Sequence, residues 1–175
     1  MDRPRIGPVR FSVKPARLLA CRMADAPKEF KPLKELGAIA LGETSELKFY
    51  VDEYKGHRYG SIRTFVKGDA YSGPTKAGVT LNARVLDEAL PALEKLPAEP
   101  DAAEDRELIR VPRKMGVELV VRVTLHKDTV GIDLREWVDE AGYQGWSKKG
   151  VRVPYKDLAA MIGYMRQMKA LVAKP

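Results

Sequence analysis

The chain has 175 residues, 45% of them apolar and 31% charged, with a formal net charge of +7, enough for one domain or two small ones tightly joined. No apolar run approaches the ~20 residues needed to span a bilayer. A single cysteine, Cys21, excludes an internal disulfide framework and a Cys-rich metal site. Residues 1–22 hold six basic residues (Arg3, Arg5, Arg10, Lys14, Arg17, Arg22) and one acid, Asp2, giving +5 and leaving +2 for the rest. Binding to a polyanion must therefore be argued from where the cations sit, not from the isoelectric point.

Residues 1–22 also carry Pro4, Pro8 and Pro15 and lack a helical period. They read as a disordered basic tail. An upstream extension before a start at Met23, or an Arg-rich targeting peptide, are the competing readings. With the polar lead-in they form a segment 1–42, which turns apolar over 36–41, where a short edge strand fits. A first unit is expected over 43–97. Leu47, Phe49 and Val51 alternate with Lys48, Tyr50 and Asp52, as in a half-buried strand. Tyr54-Lys55-Gly56 leads into a turn. In the next strand Ile62, Thr64 and Val66 share one face, and Ser61, Arg63 and Phe65 the other. Gly68, Gly73 and Pro74 punctuate a loop before a short strand at Val79-Thr80-Leu81. Asn82 is a good N-cap for a helix with Leu86, Ala89, Leu90, Leu93 and Leu96 at helical spacing. Residues 98–115, rich in proline, alanine and mixed charge, read as a linker. A second unit over 116–175 repeats the order: Leu119, Val121, Val123 and Leu125 alternate with Val120, Arg122, Thr124 and His126, then Ile132 and Leu134 with Asp133, Arg135 and Trp137. Pro154 is expected to open a helix with the stripe Leu158, Met161, Ile162, Met165, Met168 and Leu171.

The two units match without a gap at an offset of 72 positions. Ile62-Arg63-Thr64-Phe65-Val66 lies over Leu134-Arg135-Glu136-Trp137-Val138, Tyr71 and Gly73 over Tyr143 and Gly145, and Thr75-Lys76-Ala77-Gly78-Val79 over Ser147-Lys148-Lys149-Gly150-Val151. The match runs back to Glu46-Leu47 over Glu118-Leu119 and forward to Leu86 over Leu158, the pattern of a tandem duplication of a unit of roughly 50 residues. Shared apolar pairs such as Val51/Val123 and Val79/Val151 read as core, and Gly78/Gly150 as a positive φ or a close backbone approach.

The polar and aromatic pairs carry the functional reading. Arg63/Arg135 and Phe65/Trp137 are two apart on a strand, on the face opposite the apolar one, hence toward solvent. Lys55/Lys127 and Lys76/Lys148 are expected to flank that face at turns, with Tyr71/Tyr143 in the loop between. Cations neutralise phosphates, and rings stack on bases that a duplex would hide, at ~1–3 kcal/mol per base, so the set suits single-stranded nucleic acid. The competing reading is a solvated strand with ordinary surface ion pairs. The Gly-rich stretch at 68–73 has no following Gly-Lys-Ser/Thr, so it is no phosphate loop. His57 and His126 lack ligand-spaced neighbours. Neither Gly-x-Ser-x-Gly nor His-Glu-x-x-His occurs. No enzyme, cofactor or metal is expected.

Val130-Gly131-Ile132-Asp133-Leu134-Arg135-Glu136-Trp137 with Ser147-Lys148-Lys149-Gly150-Val151 resembles the signature of positive cofactor four, the single-stranded DNA-binding transcriptional coactivator family. Residues 54–56, 62–63 and 75–79 resemble a second, more diverged copy, so the resemblance covers roughly 45–96 and 117–170. The architecture it implies is also similar to that of the purine-rich-element-binding (Pur) and Whirly proteins. It implies an α+β fold of two tandem ββββα units, forming an intramolecular pseudo-dimer with curved antiparallel sheets and paired helices. It further implies strand contacts by Lys55, Arg63, Lys76, Lys127, Arg135, Lys148 and Lys149. Tyr54 and Trp146 complete the candidate set with Phe65, Tyr71, Trp137 and Tyr143. Ala77 stands where the second unit has Lys149, Thr64 where it has Glu136, and His126-Lys127-Asp128 replaces the aromatic-Lys-Gly turn.

The expectation is thus a non-enzymatic, sequence-nonspecific single-stranded DNA-binding protein, of the coactivator type, in transcription, replication or repair. RNA is the alternative ligand, and the transcription machinery a further candidate partner. The rivals are an RNA chaperone module and a protein-interaction scaffold whose nucleic-acid face has decayed. The chain would act as a monomeric pseudo-dimer, with room for further association, in cytoplasm or nucleoid of a prokaryote or the nucleus of a eukaryote, and away from membranes.

Overall fold

The structure is a computed structural model that describes residues 31–100 and 105–173; the expected tail over 1–22 lies outside them. The first unit comprises β1 (Lys34–Ala40), β2 (Ser45–Tyr54), β3 (His57–Lys67), β4 (Ser72–Leu81) and α1 (Ala83–Glu94). The second comprises β5 (Arg106–Lys114), β6 (Val117–His126), β7 (Thr129–Glu140), β8 (Tyr143–Pro154), a 3-10 turn (Tyr155–Asp157) and α2 (Leu158–Val172). Each unit is an antiparallel four-stranded meander in chain order, followed by its helix, and neither sheet closes on itself. The fold is α+β, two tandem ββββα units.

Four boundaries differ from the expected ones. The linker over 98–115 contains β5, and the lead-in contains the whole of β1, so each unit starts one strand earlier. Charges and Pro112 mask the alternation of β5, while β1 is short and glycine-interrupted. The loop expected over 68–78 is mostly β4, which begins at Ser72 and takes Gly73 and Pro74 into the strand, with Gly73 at φ 151°. Pro154 ends β8 rather than opening the helix, because the 3-10 turn intervenes.

The correspondence between the two units extends to bond geometry. Tyr71 Oη donates to Pro74 O at 2.6 Å, and Tyr143 Oη to Trp146 O at 2.7 Å. Ala77 N donates to Thr75 Oγ1, and Lys149 N to Ser147 Oγ, at 3.1 and 3.0 Å. Both β2–β3 and β6–β7 turns hold left-handed central residues, Lys55-Gly56 and Lys127-Asp128. Asp128 tolerates the conformation its counterpart Gly56 adopts freely.

Asn82 caps α1, its side chain accepting from Val85 N at 2.9 Å. The helix buries Val85, Leu86, Ala89, Leu90 and Leu93, and α2 buries Leu158, Met161, Met165 and Met168. These join Leu47, Phe49, Val51, Ile62, Leu119, Val121, Ile132 and Leu134 in one core drawn from both units. The helices pack on each other, and α2 lies on the first unit's sheet rather than chiefly on its own. Tyr164 stacks at 5.0 Å from Phe49 in a tilted pair, and Gly37 on β1 leaves room for its ring. Ion pairs Glu94–Arg166 and Asp87–Lys169, at 2.9 and 2.8 Å, order the helices antiparallel. Pro91 and Gly163 lie 72 positions apart, near the middle of each helix, and both are poor mid-helix residues, so the sequence predicts that the helices cross there; the structure shows no such crossing. Pro91 is exposed, and nothing lies within 4 Å of a Cβ built on Gly163. Pro91 falls on the side of α1 facing solvent, where it serves no packing role.

Candidate nucleic-acid interface

Strand pairing assigns the outer face of each sheet. In the first, Lys48 opposes Arg63, Tyr50 opposes Ser61, and Arg63 opposes Gly78. In the second, Glu118 opposes Trp137, Arg122 opposes Asp133, Arg135 opposes Gly150, and Trp137 opposes Trp146. The parity read from the sequence for Arg63, Arg135, Phe65 and Trp137 is the observed one, although a bulge follows each arginine.

The two arginines lie flat across the neighbouring strand. Arg63 Nη1 donates to Thr75 O at 3.0 Å, and Arg135 Nη1 to Ser147 O at 3.3 Å. Gly78 and Gly150 make this possible: a Cβ at Gly150 would meet Arg135 Cγ at 2.9 Å and Cζ at 3.0 Å. Of the two expected explanations for these glycines, a positive φ is not found, and the close approach is chiefly that of an arginine side chain rather than of backbone. Gly150→Ala is expected to lift Arg135 from its seat, lowering Tm and weakening strand binding together. Unchanged melting and affinity would show that the seat is irrelevant.

Exposure sorts the remaining candidates. Phe65 is only 7% exposed, in edge contact with Tyr50 at 6.4 Å and covered by Lys48 Nζ at 5.1 Å, so no base reaches its face. Its expected stacking role is withdrawn. Trp137 and Trp146 are half-buried and T-stacked at 4.8 Å. The Arg122 guanidinium lies 4.0 Å from the Trp146 centroid, and Arg110 5.9 Å from that of Trp137, a cation–π ladder along the face. Because Arg135 and Trp137 are both packed, truncating either costs stability as well as contacts, contrary to the solvent-facing expectation. Tyr71 and Tyr143 expose about half their surface, with hydroxyls tied to their own loops. Tyr54, 65% exposed, and Lys55 stand at the β2–β3 turn, the far end of the sheet from Tyr71. Lys127 holds the equivalent place beside His126. Lys76 and Lys148 sit within β4 and β8, not at turns, and both are exposed, as is Lys149.

What assembles the site is the approach of β4 to β8, the edges by which the two sheets meet. Arg113 of β5 crosses the junction and donates to Thr80 O at 2.6 Å. A cleft of about 580 Å³ opens there, lined by Arg63, Lys76, Arg113, Glu136, Lys148 and Lys149. A second, of about 550 Å³, runs over the outer face of the second sheet past Arg122, Arg135, Trp146, Arg152 and Lys148. Lys148 lines both, so the two clefts adjoin at its side chain. Arg110, Arg113, Arg122 and Arg152 escaped the candidate set. Outward parity on β6 and β8 was the signal for Arg122 and Arg152; nothing in the repeat marked Arg110 or Arg113.

The second face is organised by Asp133, 3% exposed, which accepts from Arg122 at 2.9 and 3.1 Å and from Arg135 at 3.2 and 3.3 Å. Its counterpart Ser61 is neutral and equally buried. On the first face, burial raises the Tyr50 hydroxyl above the usual tyrosine range, and burial also raises Asp52 against the pull of Arg63. Glu107 is held low by its hydrogen bonds from Arg110.

No family model matches the chain, nor does any curated protein. Among solved structures, the crystal structure of WHY3 from Arabidopsis thaliana overlaps 79% of this chain and 88% of its own, at 10% identity and a TM-score of 0.41. The structure of the plant transcriptional regulator PBF-2 overlaps 81% and 84%, at 9% identity and a TM-score of 0.42. Likeness at that level leaves the site to be read from this chain's own geometry, and the resemblance to positive cofactor four stands on the quoted residues alone. Among the described residues no group of three or more His, Cys, Asp or Glu side chains is placed to hold a metal ion, and no helix is long and apolar enough to cross a membrane.

Proposed function

We propose that the chain is a non-enzymatic protein that binds single-stranded DNA without sequence readout, in transcription, replication or repair. The observation that carries this reading is the adjoining pair of clefts that share Lys148, which brings eight cations from both units (Arg63, Lys76, Arg113, Arg122, Arg135, Lys148, Lys149, Arg152) against three acids, Asp105, Asp133 and Glu136. An open, cation-lined track with tryptophan along one wall fits a flexible polyanion whose bases are free to turn inward.

The test is a titration with single-stranded DNA, RNA of the same length, and duplex, each at two salt concentrations. The reading expects single-stranded DNA to bind more tightly than duplex, with affinity falling steeply as salt rises, because each neutralised phosphate releases counterions. Equal affinity for duplex, or no salt slope, contradicts it. Preference for RNA would transfer the same face to an RNA-binding role, through contacts to the 2′-hydroxyl.

A further inference from the structure

Resting on the single-strand reading, we propose that the second unit alone carries a phosphate clamp. Arg122, Arg152 and Lys148, with Trp146 as the wall, seat one internal phosphodiester of the strand, and the first unit is the weaker arm.

The clamp is built before any ligand arrives. Arg122 spends Nε and Nη2 on the buried Asp133 and lies against Trp146. Arg152 spends Nε on Thr124 Oγ1 at 3.1 Å, and Nη2 on the carbonyls of Thr124 and Thr129 at 3.1 and 2.6 Å. Each therefore holds a fixed plane and leaves Nη1 with no hydrogen-bond partner among the described residues. Lys148, exposed, makes no side-chain hydrogen bond or ion pair among them. All three line one cleft. A guanidinium held in a fixed plane can present its remaining Nη1 group to a phosphate oxygen, and the ordering cost that a free surface arginine would incur on binding is already met in the fold.

The first unit supplies an internal comparison. At the positions 72 residues earlier, Tyr50 replaces Arg122, Thr80 replaces Arg152, Pro74 replaces Trp146 and Ser61 replaces Asp133. Only Arg63 and Lys76 keep their charge, and Arg63 is tied to Thr75 O. The duplication has preserved the fold in both copies and the cationic furniture in one.

The experiment measures binding of an oligothymidylate of about 15 nucleotides, without terminal phosphates, to the full chain and three variants. Lys148→Ala and Arg152→Thr are each expected to weaken binding about tenfold, the scale of one charge-assisted hydrogen bond. Lys76→Ala, the counterpart of Lys148→Ala, is expected to weaken it about twofold. Lys148 supports nothing in the fold, so its variant separates binding from folding even if Arg152→Thr melts early. Equal losses for Lys76→Ala and Lys148→Ala overturn the asymmetry. Binding that appears only when a terminal phosphate is added overturns the internal phosphodiester as ligand. A wild-type chain that binds no single strand overturns the function on which the clamp rests, and the clamp with it.

Discussion

Residues 31–100 and 105–175, produced as separate polypeptides, are expected to show no cooperative unfolding on heating, and to regain it when mixed. The reason is where α2 goes. Its last turns cover β1, β2 and β3 of the first unit through Tyr164 and Met168, and Gly60 leaves room for the Met168 side chain. The first sheet alone would expose Phe49, Ile62 and Val51, all fully buried in the whole chain. Exposing each such side chain forfeits about 1.5–3 kcal/mol, so these three alone remove a sum comparable with the ~5–15 kcal/mol margin of a typical fold. Conversely, α2 without the first sheet leaves Met161, Met165 and Met168 uncovered. α1 ends at Glu94 and so reaches less of the second sheet, which makes the dependence unequal. If each half melts cooperatively as a monomer in calorimetry, the shared core is wrong.

Asp133→Ser, which installs the first unit's residue in the second, is expected to lower stability by about 1–3 kcal/mol and Tm by about 2–12 °C. Two guanidinium groups lose the carboxylate that fixes them. The penalty stays below the ~3–5 kcal/mol for breaking a wholly buried pair, because Arg122 and Arg135 keep 21% and 29% of their side-chain surface in water. The first sheet tolerates serine because its neighbour is Tyr50 rather than an arginine. A variant melting with the wild type would mean that water already serves both arginines and Asp133 organises nothing.

Much of this was legible in the residues. Alternation placed β2, β3, β6 and β7 with correct faces, Asn82 marked the start of α1, and the 72-residue offset united the two units. Of the two edge strands, β1 was anticipated over 36–41 and β5 was not; the same offset relates them, Lys34-Glu35-Leu36 lying over Arg106-Glu107-Leu108 and Ile39 over Val111. Strand period alone fails there because edge strands carry mixed charge and bulges, at Glu35/Gly37 and again at Glu107/Ile109. Parity could tell which side Phe65 faces but not that Lys48 and Tyr50 would cover it. Nor could it show that β4 and β8 approach, since that junction depends on how the sheets sit on the helices. The assembly of the site from both units was therefore invisible in the sequence, although most of its cations were named from it.

The chain holds two tryptophans, Trp137 and Trp146, and both stand on the outer face of the second sheet. Their emission therefore reports on the proposed interface directly. Titrating oligothymidylate while exciting tryptophan alone is predicted to change that emission in a saturable way, at the midpoint given by an independent binding measurement, and to reverse on adding salt. Strand binding with tryptophan emission unmoved would place the nucleic acid elsewhere on the molecule and contradict the account.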